Sequence, residues 1–113
     1  MDLIISGKDF KLTPSLKTYV AQKVGKLARY WSKLGRARVE LDVDHNQKSG
    51  DIYRVEVWLN IPGGSDIALG AKASDMHAAI DVVVPKLERQ IIKLKGKHEA
   101  ALRRDRKVRR GLK

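Results

Sequence analysis

Two groups of lysines and arginines have the type and spacing to neutralise a run of phosphates. Successive residues of an α-helix are about 100° apart, so with Leu87 at zero, Lys86 falls at about −100°, Arg89 at about −160°, Lys93 at about −120° and Lys97 at about −80°. Four bases then share one flank of a helix, while Glu88 and Glu99, with Lys95, take the opposite flank. On an earlier helix, with Leu27 at zero, Lys26 and Lys33 lie at about −100° and −120°, with Tyr19 and Tyr30 beside them at about −80° and −60°. Lys23, at about −40°, reaches water from the apolar edge by its long stem. Clustered bases suit a phosphate backbone, because each neutralised phosphate releases condensed counterions. The competing reading is that each strip is an ordinary solvated helix face.

Other chemistry finds little support. His45, His77 and His98 have no metal-type spacing, and with no cysteine a zinc site is not expected. Glu40, Asp42 and Asp44 share one strand face, which reads as solvated rather than as a cation site. No nucleophile elbow, phosphate loop or dinucleotide glycine pattern occurs, so no catalytic residue, metal or cofactor is assigned and the chain is not read as an enzyme.

The charge is unevenly distributed. The 113 residues hold 24 Lys and Arg against 13 Asp and Glu, a net +11. Residues 13–34 contribute +5 with no acid, residues 74–113 contribute +7, residues 1–12 sum to zero and residues 35–73 to −1. A polyanionic partner is the first expectation. No apolar run approaches the ~18 residues a membrane span needs, and the stretch from Met1 to Lys11 does not read as a signal peptide. At 42% hydrophobic, one domain with a genuine core is expected.

The elements that must position these bases follow from periodicity. Thr13 as N-cap and Pro14 at the first turn open a helix predicted to reach Leu34, with Leu16, Val20, Val24, Leu27, Trp31 and Leu34 as its apolar stripe and Gly35 as its stop. Alternation predicts strands over Ala37–Asp44, Tyr53–Ile61 and Ile67–Ala73, with a short strand over Leu3–Ser6. The joining turns are 45–50 and 62–64. Ser74 is the expected N-cap of a second helix with the stripe Met76, Ile80, Val83, Val84, Leu87, Ile91 and Leu94, kinked near Asp81 to Pro85. The fold class is α+β, in the order β-α-β-β-β-α, with both helices on one face of a four-stranded, mostly antiparallel sheet. Side-by-side helices would let the two cationic strips merge. The open face would carry Arg38, Glu40, Asp42, Asp44, Arg54 and Glu56, with Trp58 placed there too. Tyr19, Tyr30 and Trp31 read as core or rim packing. Residues 1–98 form the domain and 99–113 a flexible basic extension, since residues 103–113 hold seven bases and one acid.

The run Asp75-Met76-His77-Ala78-Ala79-Ile80-Asp81, followed by Lys86-Leu87-Glu88-Arg89-Gln90, resembles the signature of bacterial ribosome hibernation-promoting factors and ribosome-associated translation inhibitors of the short form. Leu12-Thr13-Pro14 and the run from Lys23 through Lys26-Leu27 to Arg29-Tyr30 resemble that family's first helix. His77 stands where the family usually has tyrosine, and Pro85 is unusual at its position. The resemblance, over residues 2–98, implies a fold akin to double-stranded RNA-binding domains. It also implies a cytoplasmic factor, monomeric off the ribosome, that binds the small ribosomal subunit and its RNA in the channel of messenger RNA and the A- and P-site transfer RNAs. Idle ribosomes would thereby stay inactive in stress or stationary phase. By position it implies RNA contacts for Lys23, Lys26 and Arg29 on the first helix and Lys86, Arg89, Lys93 and Lys97 on the second. Two other readings stand beside it: a general RNA-binding or RNA-chaperone module without ribosome preference, and a protein-interaction domain that docks an acidic partner through Trp58 and the open sheet face.

Overall fold

The sheet holds the strands in chain order, β1 (Asp2–Lys8), β2 (Arg36–Asp44), β3 (Ile52–Leu59) and β4 (Ile67–Ala73). This computed structural model describes residues 1–111 except 46, 47, 49, 62, 63 and 65, with side chains described through 104; parts of both expected turns therefore lie outside the described residues. β2, β3 and β4 form an antiparallel meander. β1 runs parallel to β2, because the chain returns to the sheet through a helix rather than a hairpin.

That helix, α1 (Pro14–Gly25), is capped as expected: Thr13 Oγ1 accepts the Leu16 N–H at 3.2 Å. It is shorter than expected, ending at Gly25 and tightening into a 3-10 turn over Lys26–Arg29. A glycine weakens helix propagation, and 3-10 turns are common where α-helices end. The stripe survives the change, since Leu16, Val20, Val24, Leu27, Trp31 and Leu34 are all buried.

The second helix, α2 (Met76–Gly111), is one continuous element with Pro85 inside it. Pro85 is exposed, so the carbonyl it leaves without a helical partner can be hydrated. The cap is one residue later than expected: Asp75 Oδ1 accepts the Ala78 N–H at 2.8 Å, taking the place assigned to Ser74. The helix also continues through the segment expected to be a flexible extension. Both helices cover one face of the sheet. Val39, Leu41, Val55, Val57, Leu59 and Ile67 meet Ile80, Val83, Leu87 and Ile91 in a core that contains no buried polar or charged side chain among the described residues. The turn into α1 needs Gly7, where a Cβ would clash with the Phe10 carbonyl oxygen.

Candidate nucleic-acid interface

The apolar stripes of both helices turn toward the sheet, which leaves their flanks to form the outer surface. The flank of α2 that faces α1 is the one bearing His77, Asp81, Lys95 and His98. The Tyr19 hydroxyl donates to Asp81 Oδ1, and its ring lies 4.6 Å from the His77 ring. Lys23 Nζ sits 5.5 Å from the centre of the same ring. Hydrogen bonding to the Asp81 carboxylate, then burial, then the negative charges of Asp81 and Asp75 push the Tyr19 hydroxyl up to about 12. At the far end of the seam Lys95 Nζ donates to the Tyr30 carbonyl at 3.1 Å. Lys33 Nζ lies 2.9 Å from His98 Nε2, and the His98 ring is 5.7 Å from Trp31.

This seating corrects the expectation of a merged cationic strip. The groove between the helices is lined by Lys23 and Lys26 from the α1 side but by Asp81, Val84, Pro85 and Glu88 from α2. The strip of α1 thus faces the acidic flank of α2, while Lys86, Lys93 and Lys97 belong to the flank turned away from α1. Leu87 fixes this outcome. With its side chain in the core, the two flanks of α2 must point opposite ways along the sheet, and α1 occupies only one of them.

The seven expected residues therefore fall into two patches. Lys23, Lys26 and Arg29 lie beside the groove, Lys23 half-buried and the other two exposed. Lys86, Arg89, Lys93 and Lys97 are exposed on α2, with Arg89 Nε donating to the Pro85 carbonyl at 3.3 Å. Lys86 also lines a recess at the β4 edge together with Arg54, Glu56 and Lys72. Lys72 is the base that sequence reasoning missed: it alternates outward on an edge strand, and only the fold brings it beside Lys86. Lys33, placed in the α1 strip, is held against His98 instead.

Among the described residues the ion pairs are His45 with Asp51 at 3.0 Å and Arg54 with Asp42 and Asp44 at 3.3 and 3.9 Å; none includes a base of either helix. On the open sheet face Arg38 stacks over Trp58 at 4.3 Å. Bases free of carboxylate partners can exchange counterions for phosphates without first breaking an ion pair. Among the described residues no group of three or more His, Asp or Glu could hold a metal ion, and no helix is long and apolar enough to cross a membrane.

Comparison with known proteins supplies the context for this surface. A family model described as Sigma 54 modulation protein / S30EA ribosomal protein matches residues 3–99. The ribosome hibernation promoting factor of Pseudomonas putida is 35% identical over 102 residues, spanning 90% of this chain and 94% of that protein. Its namesake in Escherichia coli is 34% identical over 97 residues, covering 86% and 96% of the two chains. Among solved structures, the Thermus thermophilus Protein Y N-terminal domain superposes with a TM-score of 0.69 at 28% identity, over 83% of this chain and 99% of that one. A ribosomal subunit interface protein from Coxiella burnetii gives 0.72 at 22% identity, over 85% and 99%, a likeness of fold.

Proposed function

The chain belongs to the Sigma 54 modulation protein / S30EA ribosomal protein family, and from that premise we propose that it is a cytoplasmic, non-enzymatic ribosome hibernation factor. In this reading it docks on the small ribosomal subunit in the channel used by messenger RNA and the A- and P-site transfer RNAs. Translation stops because the channel is filled, and idle ribosomes are kept through stress or stationary phase. Lys23, Lys26 and Arg29 contact RNA phosphates on one side of the α2 ridge. Lys86, Arg89, Lys93 and Lys97, joined by Lys72, contact them on the other.

The observation that carries this reading is that the bases of both helix patches have no ion-pair partner among the described residues, whereas on the open sheet face Arg54 pairs with Asp42 and Asp44 and Arg38 stacks over Trp58. Electrostatics supply affinity, and the shape of a folded RNA cleft supplies selectivity. Co-sedimentation with purified small subunits in sucrose gradients, with free RNA as competitor, is the test. Binding to small subunits that excess free RNA does not displace is the expected result. Displacement by equimolar free RNA would instead mark a general RNA-binding module.

A further inference from the structure

Beyond His98 the second helix leaves the body of the protein. Its last fully covered side chain is Ile91, and Glu99, Ala101, Leu102, Arg103 and Arg104 are exposed, yet the helical backbone continues to Gly111. The result is a molecule 66 Å long and only 27 by 17 Å across. The family match ends at residue 99, so this projection is not part of what the family model describes.

The projection is strongly basic. Residues 103–111 hold Arg103, Arg104, Arg106, Lys107, Arg109 and Arg110 against the single acid Asp105. Residues three and four apart are neighbours on a helix, so nearly every charged neighbour in this segment is another base; Asp105 and Arg109 are the exception. Like charges at these spacings disfavour a helix. A polyanion removes the repulsion and rewards the helix. The root of the projection, meanwhile, is clamped to the domain by Lys95 on the Tyr30 carbonyl, Lys33 on His98 and His98 against Trp31. Its direction is thus set by the fold.

We propose that residues 99–111 are a second RNA-binding element, a helical arm that lays its bases along phosphates of ribosomal RNA beyond the area the domain covers. This rests on the reading of the chain as a ribosome-binding factor. Thirteen residues at about 1.5 Å each give the arm a reach of about 20 Å. Arginine forks match phosphate oxygens in pairs, and arginine-rich segments gain order when they bind RNA.

The absence of cysteine makes the arm directly testable in the full chain. Ala101→Cys and Val108→Cys, each carrying an iron chelate that generates hydroxyl radicals, are bound to purified small subunits and the ribosomal RNA is mapped for cleavage. Discrete cuts from both positions are expected. Replacing Arg103, Arg104, Arg106, Lys107, Arg109 and Arg110 by Gln is expected to weaken binding at least about 100-fold and to flatten the dependence of log affinity on log salt by about 4–5. Leu102→Pro keeps every charge but breaks the helix, and is expected to cost about 10-fold and move the cuts. No cleavage from either cysteine while the chain still co-sediments, or wild-type affinity in the Gln variant, overturns the arm and leaves the ribosome reading standing. Lost affinity in the Gln variant without RNA cuts places the arm on an acidic protein and also overturns the proposal. An unchanged pattern in Leu102→Pro removes the helical part. Failure of the unmodified chain to co-sediment defeats the ribosome reading itself.

Discussion

Charge reversal on the outer flank of α2, Lys86→Glu with Arg89→Glu, tests the interface most directly. Both side chains are exposed, so the fold should survive, with a melting temperature within a few degrees of the parent. The flank and its β4 neighbour present Lys72, Lys86, Arg89, Lys93 and Lys97. If each neutralises one phosphate, these five contribute about −3.5 to −4.5 to the slope of log affinity against log salt, so raising salt from about 50 to 200 mM costs roughly 100- to 500-fold through this flank alone. Two charge-assisted contacts at about 1.5–3 kcal/mol each amount to about 3–6 kcal/mol. The double variant should therefore bind small subunits at least about 100-fold more weakly, with a slope shallower by about 1.5. Fluorescence anisotropy of labelled protein titrated with subunits at several salt concentrations reads both quantities. An unchanged dissociation constant and slope in a folded double variant would refute the assignment of this flank to RNA.

Three further outcomes follow from the same geometry. Arg38→Glu, on the opposite face, removes the stack on Trp58 and should cost only about 0.5–1 kcal/mol of stability while leaving subunit affinity within about 3-fold; a loss matching the α2 double variant would put the sheet face on the RNA. Leu87→Ala, at a fully buried position, should lower the unfolding free energy by about 2–5 kcal/mol in urea titrations, and a loss below about 1 kcal/mol would contradict its place in the core. Tyr19 holds its proton more tightly in the folded state, up to about 12. The stability this contributes is present below the unfolded value of about 10 and is lost as pH rises from there through about 12. Asp81→Asn should return its titration toward 10, read as phenolate absorbance by difference from Tyr19→Phe, and titration of Tyr19 at its ordinary value in the parent chain would undo the seam.

Much of the fold is legible in the sequence because burial selects spacing. Leu16, Val20, Val24, Leu27, Trp31 and Leu34 reach the core although the α-helix stops at Gly25, since a single 3-10 turn keeps them on one side of the chain. Asp75 displaced Ser74 as cap because both side chains can accept the orphan N–H groups, and the choice depends on where helical geometry begins. The relation between the two basic strips was not legible. A helical wheel places charges relative to that helix's own apolar stripe, but says nothing about which flank a second helix will occupy. A signal did exist: His77, Asp81, Lys95 and His98 recur on one flank of α2 with groups able to meet Tyr19, Tyr30 and Lys33. Lys72 carried no such signal, because its nearness to Lys86 arises only from the packing of α2 against β4.

Two patches on either side of a ridge behave differently from one continuous strip. The exposed crest of α2, with Val82 and Ile92 at 43% and 55% exposure, separates the Lys23–Lys26–Arg29 patch from the Lys86 flank. A single straight RNA duplex can satisfy one patch at a time, whereas a cleft whose walls both carry phosphate can satisfy the two together. Binding to the small subunit should then depend on salt with the summed slope of both patches, and binding to a free duplex with the slope of one. A duplex of about 20 base pairs titrated beside purified subunits should show a slope shallower by about 2, the share of the three α1-side bases. Equal slopes for the two ligands would mean that only one flank ever meets RNA, and that shape plays no part in choosing the ribosome.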